Sequence, residues 1–436
     1  MKCRRLVLVV FYLSLISCST SENDNPSEEV HILSDEELMT EIQKQTFKYF
    51  WDGAHESSGM ALERSNGSNN VVTSGGSGFG VMAIIVGIER NFITSDEGAN
   101  RILKITEFLL AADRFHGAFP HWYNGNTGKV IPFSQMDNGG DIVETSFLIQ
   151  GLLTALQYFT NNTSVEEQLR LNITKLWEEV EWSWYVQPDT NYLTWHWSPE
   201  YEFEQNHRIS GYNEALVTYV LAASSTTYPI NANVYHEGWA HNGQIKNGKT
   251  FYEHELPLGY DFGGPLFFAH YSFLGLNPTG LVDQYANYWE QNVAHTKINY
   301  AYCVENPKGY KGYSSNIWGI TASDNHLGYS AHSPTNDLGV ISPTAAVSSI
   351  PYLPASSLKF MRALYETRPE LWGKYGFYDA FNDTENWVAD SYLAIDQGPM
   401  VIMIENYRTQ LLWGLFMQNE DVKRGLLELG FSSPYL

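Results

Sequence analysis

Six segments of this chain carry almost no charge, at 79–88, 142–158, 212–223, 265–274, 343–350 and 399–412. A helix that is apolar on every side has to be covered on every side. Amphipathic stretches with apolar residues three and four apart alternate with them, at 35–51, 96–115, 165–185, 281–302, 356–371 and 421–429. Each uncharged segment is entered through a polar loop that bears glycine: TSGGSGFG, QMDNGGDIVETS, RISGYNEAL, YDFGGPLFF, DLGVISPTAA and AIDQGPMV. This is a repeat of organisation without a repeat of sequence. It predicts an all-α double ring, the (α/α)6 toroid, with uncharged helices inside and amphipathic ones outside. The turn-rich stretch 224–262 breaks the alternation as a loop excursion, and strand-like alternation at 117–133 and 191–203 predicts small β-hairpins on one rim. If the inner helices share a direction, the glycine loops gather at one mouth, and that mouth is the expected cleft.

The start of the chain has a different character. Lys2, Arg4 and Arg5 precede an apolar run from Leu6 to Ile16, too short to span a membrane, and Cys18 follows Leu15, Ile16 and Ser17. The order is that of a bacterial lipobox. The expected organisation is therefore a lipoprotein signal peptide at 1–17, a lipidated Cys18 opening a flexible tether at 18–33, and one domain from 34 to 436. The chain would be an exported lipoprotein of a Gram-negative bacterium, held on the outer membrane at its periplasmic or surface face. With Cys18 carrying lipid, Cys303 has no disulfide partner and reads as a buried apolar residue.

Composition narrows the partner. Asp plus Glu number 49 against 26 Lys plus Arg, a net charge of −23 that repels nucleic acid and anionic polymers. Aromatic residues make up 14 % of the chain, and flat rings suit stacking on the apolar faces of sugars as well as burial. A neutral polysaccharide or oligosaccharide is the expected ligand, bound by a monomer.

The chemistry turns on QMDNGGDIVETS. Asp141 and Glu144 stand three apart, the spacing of a capping box in which Asp141 accepts from the helix and Glu144 reaches back. Yet Asp137 adds a third carboxylate nearby, and Thr145 to Tyr158 contains no charge. In SGYNEAL, Glu214 is expected about one turn into an apolar helix, without capping spacing. Burial beside like charges raises a carboxyl pKa toward that of a general acid. Two carboxyl groups across a sugar-sized cleft are the minimum for cleaving a glycosidic bond, and Glu214 is the preferred acid. Arg64, His121, Trp122, Trp195, Trp197, His207 and Tyr212 lie in rim loops and hairpins as substrate contacts, with Asp396 of AIDQGPM beside them.

Other chemistries fit less well. The histidines of HEGWAH are five apart where a zinc helix needs four, DNGGD lacks the alternating ligands of a calcium loop, and GSGFG at 76–80 has no preceding strand and no Walker lysine. Those glycines are expected to admit close packing and positive φ at a helix entrance. No metal or organic cofactor is expected.

Taken together, TSGGSGFGVMA, QMDNGGDIVETSFLIQGLL, ISGYNEAL and AIDQGPMVIMIENYRTQLLW resemble the glycoamylase-like family of bacterial proteins, which includes endo-β-1,2-glucanases, from about residue 37 to 430. The resemblance implies an (α/α)6 barrel, cleavage with inversion, and acidic residues acting at Asp141, Glu144 and Glu214. It leaves open which is acid and which is base. The competing expectations are a glycosidase of another specificity on the same fold, a lyase, which would need a uronic-acid substrate and a basic cleft, and a non-catalytic glycan-binding lipoprotein. The last would keep the aromatic residues without needing the clustered carboxylates.

Overall fold

The computed structural model describes residues 32–436, so the expected signal peptide and Cys18 lie outside the described residues. In chain order the α-helices are α1 (Asp35–Trp51), α2 (Ser74–Glu89), α3 (Ser95–Ala111), α4 (Ile142–Tyr158), α5 (Ser164–Glu178), α6 (Leu216–Ser224), α7 (Tyr288–Glu305), α8 (Pro343–Val347), α9 (Pro354–Thr367), α10 (Ala394–Thr409), α11 (Leu411–Met417) and α12 (Glu420–Glu428). The uncharged helices α2, α4, α6, α8 and α10 are buried along nearly their whole length, whereas α1, α3, α5 and α9 bury one face. This is the double ring that the charge pattern predicts. The outer helices begin with side-chain caps, as in the reciprocal Ser34–Glu37 and Thr94–Glu97 boxes.

The ring is closed out of sequence order. The outer place beside α6 is filled by α12 from the far end of the chain, with Gly425 set directly against Ser224. The intervening excursion holds a π-helical turn at Val234–Trp239 and a long hairpin further on. At 265–274 the expected inner helix is replaced by two 3-10 turns, Leu266–Ala269 and Ser272–Leu274. Neighbouring side chains take over its backbone hydrogen bonds: Gln150 accepts from Gly275 N–H and donates to the Tyr271 carbonyl, while Asn406 and Trp413 donate to the carbonyls of Leu274 and Phe273.

The rim is built from short strands. β1 (Val71–Thr73), β2 (Trp122–Asn124) and β3 (Val130–Ile131) form one antiparallel sheet. β4 (Gly140–Asp141) pairs with β5 (His196–Trp197), with Asp141 opposite His196 and Gly140 opposite Trp197. Residues 191–203 therefore do not form the self-contained hairpin that alternation suggested; they dock on the loop that enters α4. Further strands, β6 (Lys246–Phe251) with β7 (His254–Leu258) and β8 (Ala322–Asn325) with β9 (Gly328–Ala331), complete the mouth.

The glycines of TSGGSGFG lie inside the first turns of α2, and none of Gly75, Gly76, Gly78 or Gly80 has positive φ. Their role is close approach. A Cβ on Gly78 would overlap the Phe147 carbonyl, and one on Gly151 would overlap the carbonyl of Gly78, so α2 and α4 cross with their backbones in contact. A methyl group there has nowhere to go. Gly151→Ala should destabilise the protein by about 1–3 kcal/mol or more in urea unfolding, whereas Gly414→Ala, at a position with open space around it, should leave the midpoint unchanged or raise it.

Candidate active site

The α4 entrance answers the question of cap or catalyst residue by residue. Asp141 Oδ1 accepts the N–H groups of Val143 at 3.0 Å and Glu144 at 2.9 Å, so Asp141 is a helix cap. Its other oxygen, Oδ2, faces the site, 3.2 Å from His121 Nδ1 and 3.2 Å from Trp195 Nε1. Glu144 does not reach back, because the Asp141 N–H donates to the Phe119 carbonyl at 2.9 Å. Instead Glu144 Oε2 crosses to the start of α2, where it accepts the Gly75 N–H at 2.7 Å and the Thr73 hydroxyl at 3.3 Å. Gly75 permits this: a Cβ there would sit 2.7 Å from the same oxygen. The positive end of α2 thus faces a carboxylate.

Histidines knit these carboxylates together. His196 Nε2 lies 3.2 Å from Asp137 Oδ2 and 3.7 Å from Asp141 Oδ2, and His121 Nε2 lies 3.9 Å from Glu144 Oε1. Burial alone would lower the His121 pKa, but the charges of Glu144, Asp141 and Asp137 outweigh it and carry the imidazole up to about 9. For Asp141 burial is the largest influence and acts upward; the His121 hydrogen bond and the charges of His196 and His121 together overcome it and hold the carboxyl low. Burial dominates at Glu144, whose pKa is raised although His121 pulls against it. His121, Asp137 and Asp141 also offer ligand atoms within 4.8 Å of one another, a grouping able to hold a metal ion.

Glu214 stands apart from this network. It lies in the turn before α6 rather than one turn inside a helix, half-buried, on the wall of a groove of about 840 Å³ that Trp195, His207, Tyr260, Phe267 and Ala331 also line. Burial, with smaller contributions from Asp141 and Glu144 and against its own backbone N–H, pushes its pKa up to about 7. The site therefore contains one carboxyl held ionised and another that keeps its proton near neutrality.

A second group of carboxyls sits at the start of α10. Arg64 Nη1 lies 3.1 Å from Asp324 Oδ1, Asp324 N–H donates to Asp379 Oδ2 at 2.7 Å, and Asp379 is hydrogen-bonded to Asp396. Burial and then the charge of Asp324 raise Asp379 to about 7, and burial and then the charge of Asp379 raise Asp396. Arg64, Asp324 and Tyr329 line a cavity of about 560 Å³. β9 borders both cavities, with Tyr329 at this one and Ala331 at the groove of Glu214.

The remaining candidates divide by the face on which they lie. Trp195 and His207 stack at 4.8 Å along the groove, and Trp122 packs edge-on to His121 and Phe133. Tyr212 is 1 % exposed and its hydroxyl donates to Asn292 at 2.6 Å, so it is held in the floor of the groove that Glu214 lines. Trp197, one residue past His196, points to the opposite face of the β4–β5 ribbon, against Phe115 and His116. Within HEGWAH, His236 bonds Tyr285 and His241 bonds Ser210, so the two histidines serve different partners. Cys303 is fully buried on α7. Sequence reasoning missed His196, Asp324 and Asp379. His196 was visible only as one position in an alternating hairpin, and nothing local marks the other two.

A helical toroid whose inner helix entrances converge on paired carboxyls is the architecture of carbohydrate-processing barrels. The family model Glycoamylase, described as "Putative glucoamylase", matches residues 206–420. The endo-β-1,2-glucanase from Chitinophaga pinensis, solved with sophorotriose and glucose, is 55 % identical with a TM-score of 0.91, covering 93 % of this chain and 100 % of that one. The exo-β-1,2-glucooligosaccharide sophorohydrolase (non-reducing end) from Parabacteroides distasonis is 46 % identical over 432 residues, 94 % of this chain. This chain spans 60 % of the length of that curated relative. The endo-β-1,2-glucanase from Talaromyces funiculosus shares the fold at 12 % identity and a TM-score of 0.65. The chain belongs to the glycoamylase-like family that includes the endo-β-1,2-glucanases.

The network makes a direct prediction. Because Glu144 exerts the strongest upward pull on His121, Glu144→Gln should move the His121 titration midpoint down from about 9 toward its ordinary 6.5. Imidazole NMR across a pH series reads the shift, and an unmoved midpoint would contradict the network.

Proposed function

We propose that the protein is an inverting endo-glycosidase that cleaves β-1,2-linked glucan with Glu214 as general acid. The observation that carries this reading is a carboxyl with a pKa of about 7 on the wall of an open groove, close enough to feel the charges of Asp141 and Glu144. Glu214 gives its proton to the glycosidic oxygen as the bond to the anomeric carbon breaks. A water on the opposite face of the sugar attacks that carbon and loses its proton to a carboxylate. Glu144 is the base on this reading: its Oε2 is fixed by Gly75 and Thr73, while Oε1 makes no closer ion pair than 3.9 Å to His121. Asp141, fully buried with both oxygens engaged, orients His121 and Trp195, and Asp137 does the same for His196.

The substrate class follows from charge and rings. A net charge of −23 disfavours anionic chains, while the Trp195–His207 stack offers the groove a flat wall. The names of the relatives support a β-1,2-linked glucan. Endo action should release products of several lengths from a linear chain; release of a single disaccharide would instead make the enzyme exo-acting. The expected address is an outer membrane lipoprotein anchored through Cys18, a reading that rests on the lipobox alone. Cys18→Ala should abolish partitioning into the detergent phase, and unchanged partitioning would remove the anchor.

The pH dependence has a definite sign. Glu214 must be protonated to act, so kcat/KM should fall as pH rises through about 7. Glu214→Gln should lower turnover by about 10² to 10⁴ and erase that limb, with glucan binding retained. Near-normal turnover in this variant would remove Glu214 as the acid.

A further inference from the structure

The β4–β5 ribbon has two faces, and the catalytic reading uses one. Asp141 and His196 pair across it toward the carboxylates, so Gly140 and Trp197 pair on the other side. There the Trp197 ring lies 4.9 Å from His116 and 6.5 Å from Trp184. His116 and Trp184 are stacked at 3.7 Å with an 11° interplanar angle. Trp184 is carried on a 3-10 turn, Trp182–Tyr185, whose first and last residues are buried anchors. It is nevertheless 42 % exposed. His116 covers one face of the indole, and the residue keeps this exposure with that face stacked.

The support beneath the ring is stiff. His116 has φ of 52°, a left-handed backbone that non-glycine residues rarely adopt. It is held there by the Glu181 N–H donating to its carbonyl at 3.0 Å and by Glu181 Oε2 3.0 Å from its Nδ1. An exposed indole fixed on one face by a stacked imidazole has the form of a sugar platform: its free surface would take the C–H face of a pyranose, and Glu181 holds the imidazole behind it. Of the three aromatic residues on this turn, Trp182 and Tyr185 are fully covered and Trp184 is turned outward.

We propose that Trp184, backed by His116, which Glu181 holds in place, is a second glucan-binding site outside the cleft, taking a distal stretch of the same chain that the groove cleaves. This rests on the glucan-hydrolase reading above. Holding one part of a polymer at the ribbon's outer face raises the effective concentration of the rest at its inner face. The site would thus act on long substrates and not on short ones.

The test is Trp184→Ala, compared with wild type in kinetics on linear β-1,2-glucan and on a β-1,2-linked glucotetraose. Native electrophoresis through gels containing the polymer accompanies it, with Glu214→Gln in both backgrounds to prevent cleavage. The expected result is a KM for polymer raised by about three- to tenfold, the range that aromatic stacking supplies, weaker retardation, and unchanged kcat and KM on the tetraose. Trp184→Phe, which keeps a flat ring, should recover part of the retardation if Trp184→Ala also lowers the melting temperature. Equal retardation and equal polymer KM in Trp184→Ala would overturn the site while leaving the hydrolase reading intact. Slower tetraose cleavage would also overturn it, by placing Trp184 in the cleft. A wild-type protein that neither cleaves nor is retarded by the polymer would remove both readings, whereas retardation through Trp184 without cleavage would support the site and remove the hydrolase reading.

Discussion

The backbone contact between α2 and α4 is the constraint on which the site depends. Gly78 and Gly151 let the two inner helices touch without side chains between them. That contact brings the first turn of α2 within reach of the α4 entrance, and Gly75 then presents its N–H to Glu144. On the other side of the same turn, Gly76 packs against Ala394 at the start of α10, two residues before Asp396. One helix end therefore sets the spacing of two carboxyl groups. An ordinary 8–10 Å separation of helices, with side chains interleaved, would leave Glu144 without its backbone partner.

The fold then sorts the carboxyls by environment. Asp141 receives two helix N–H groups, an indole N–H and an imidazole, and stays ionised in a fully buried position. Glu214 has no charged hydrogen-bond partner, so desolvation decides, and its proton is retained near neutrality. Glu144, the base on the reading above, lies between these two: burial raises it, while the charge of His121 and the Gly75 N–H act downward. Asp379 and Asp396 show a third outcome: Arg64 pairs with Asp324, and burial raises the other two, with the charge of Asp324 adding to it at Asp379 and that of Asp379 at Asp396.

Periodicity carried the architecture because it reports burial directly. The alternation of uncharged and amphipathic segments located α2, α4, α6, α8 and α10 inside and α1, α3, α5 and α9 outside. It failed at 265–274, where side chains from distant elements satisfy the backbone, and it could not show that α12 closes the ring beside α6. The candidate site was legible to the same extent. Asp137, Asp141 and Glu144 advertised themselves by crowding at the mouth of an apolar helix. Half of the capping box was there, and the other half was overruled by a better donor at Gly75.

By itself the sequence determined which segments had to be buried, where glycine opened their entrances, and that several carboxyls stood at those entrances. These are local properties, set by charge and spacing along the chain. The tertiary structure alone decided that His121 and His196 meet Asp141, that Tyr212 floors the groove and Trp197 lies behind it, and that Asp324 and Asp379 join Asp396. Each of those outcomes depends on which residue arrives from a distant element and on which way a strand faces. A one-residue change of register would exchange His196 for Trp197. Proton affinity follows from the same distances, because a buried carboxyl takes its charge state from the partners that the fold delivers to it.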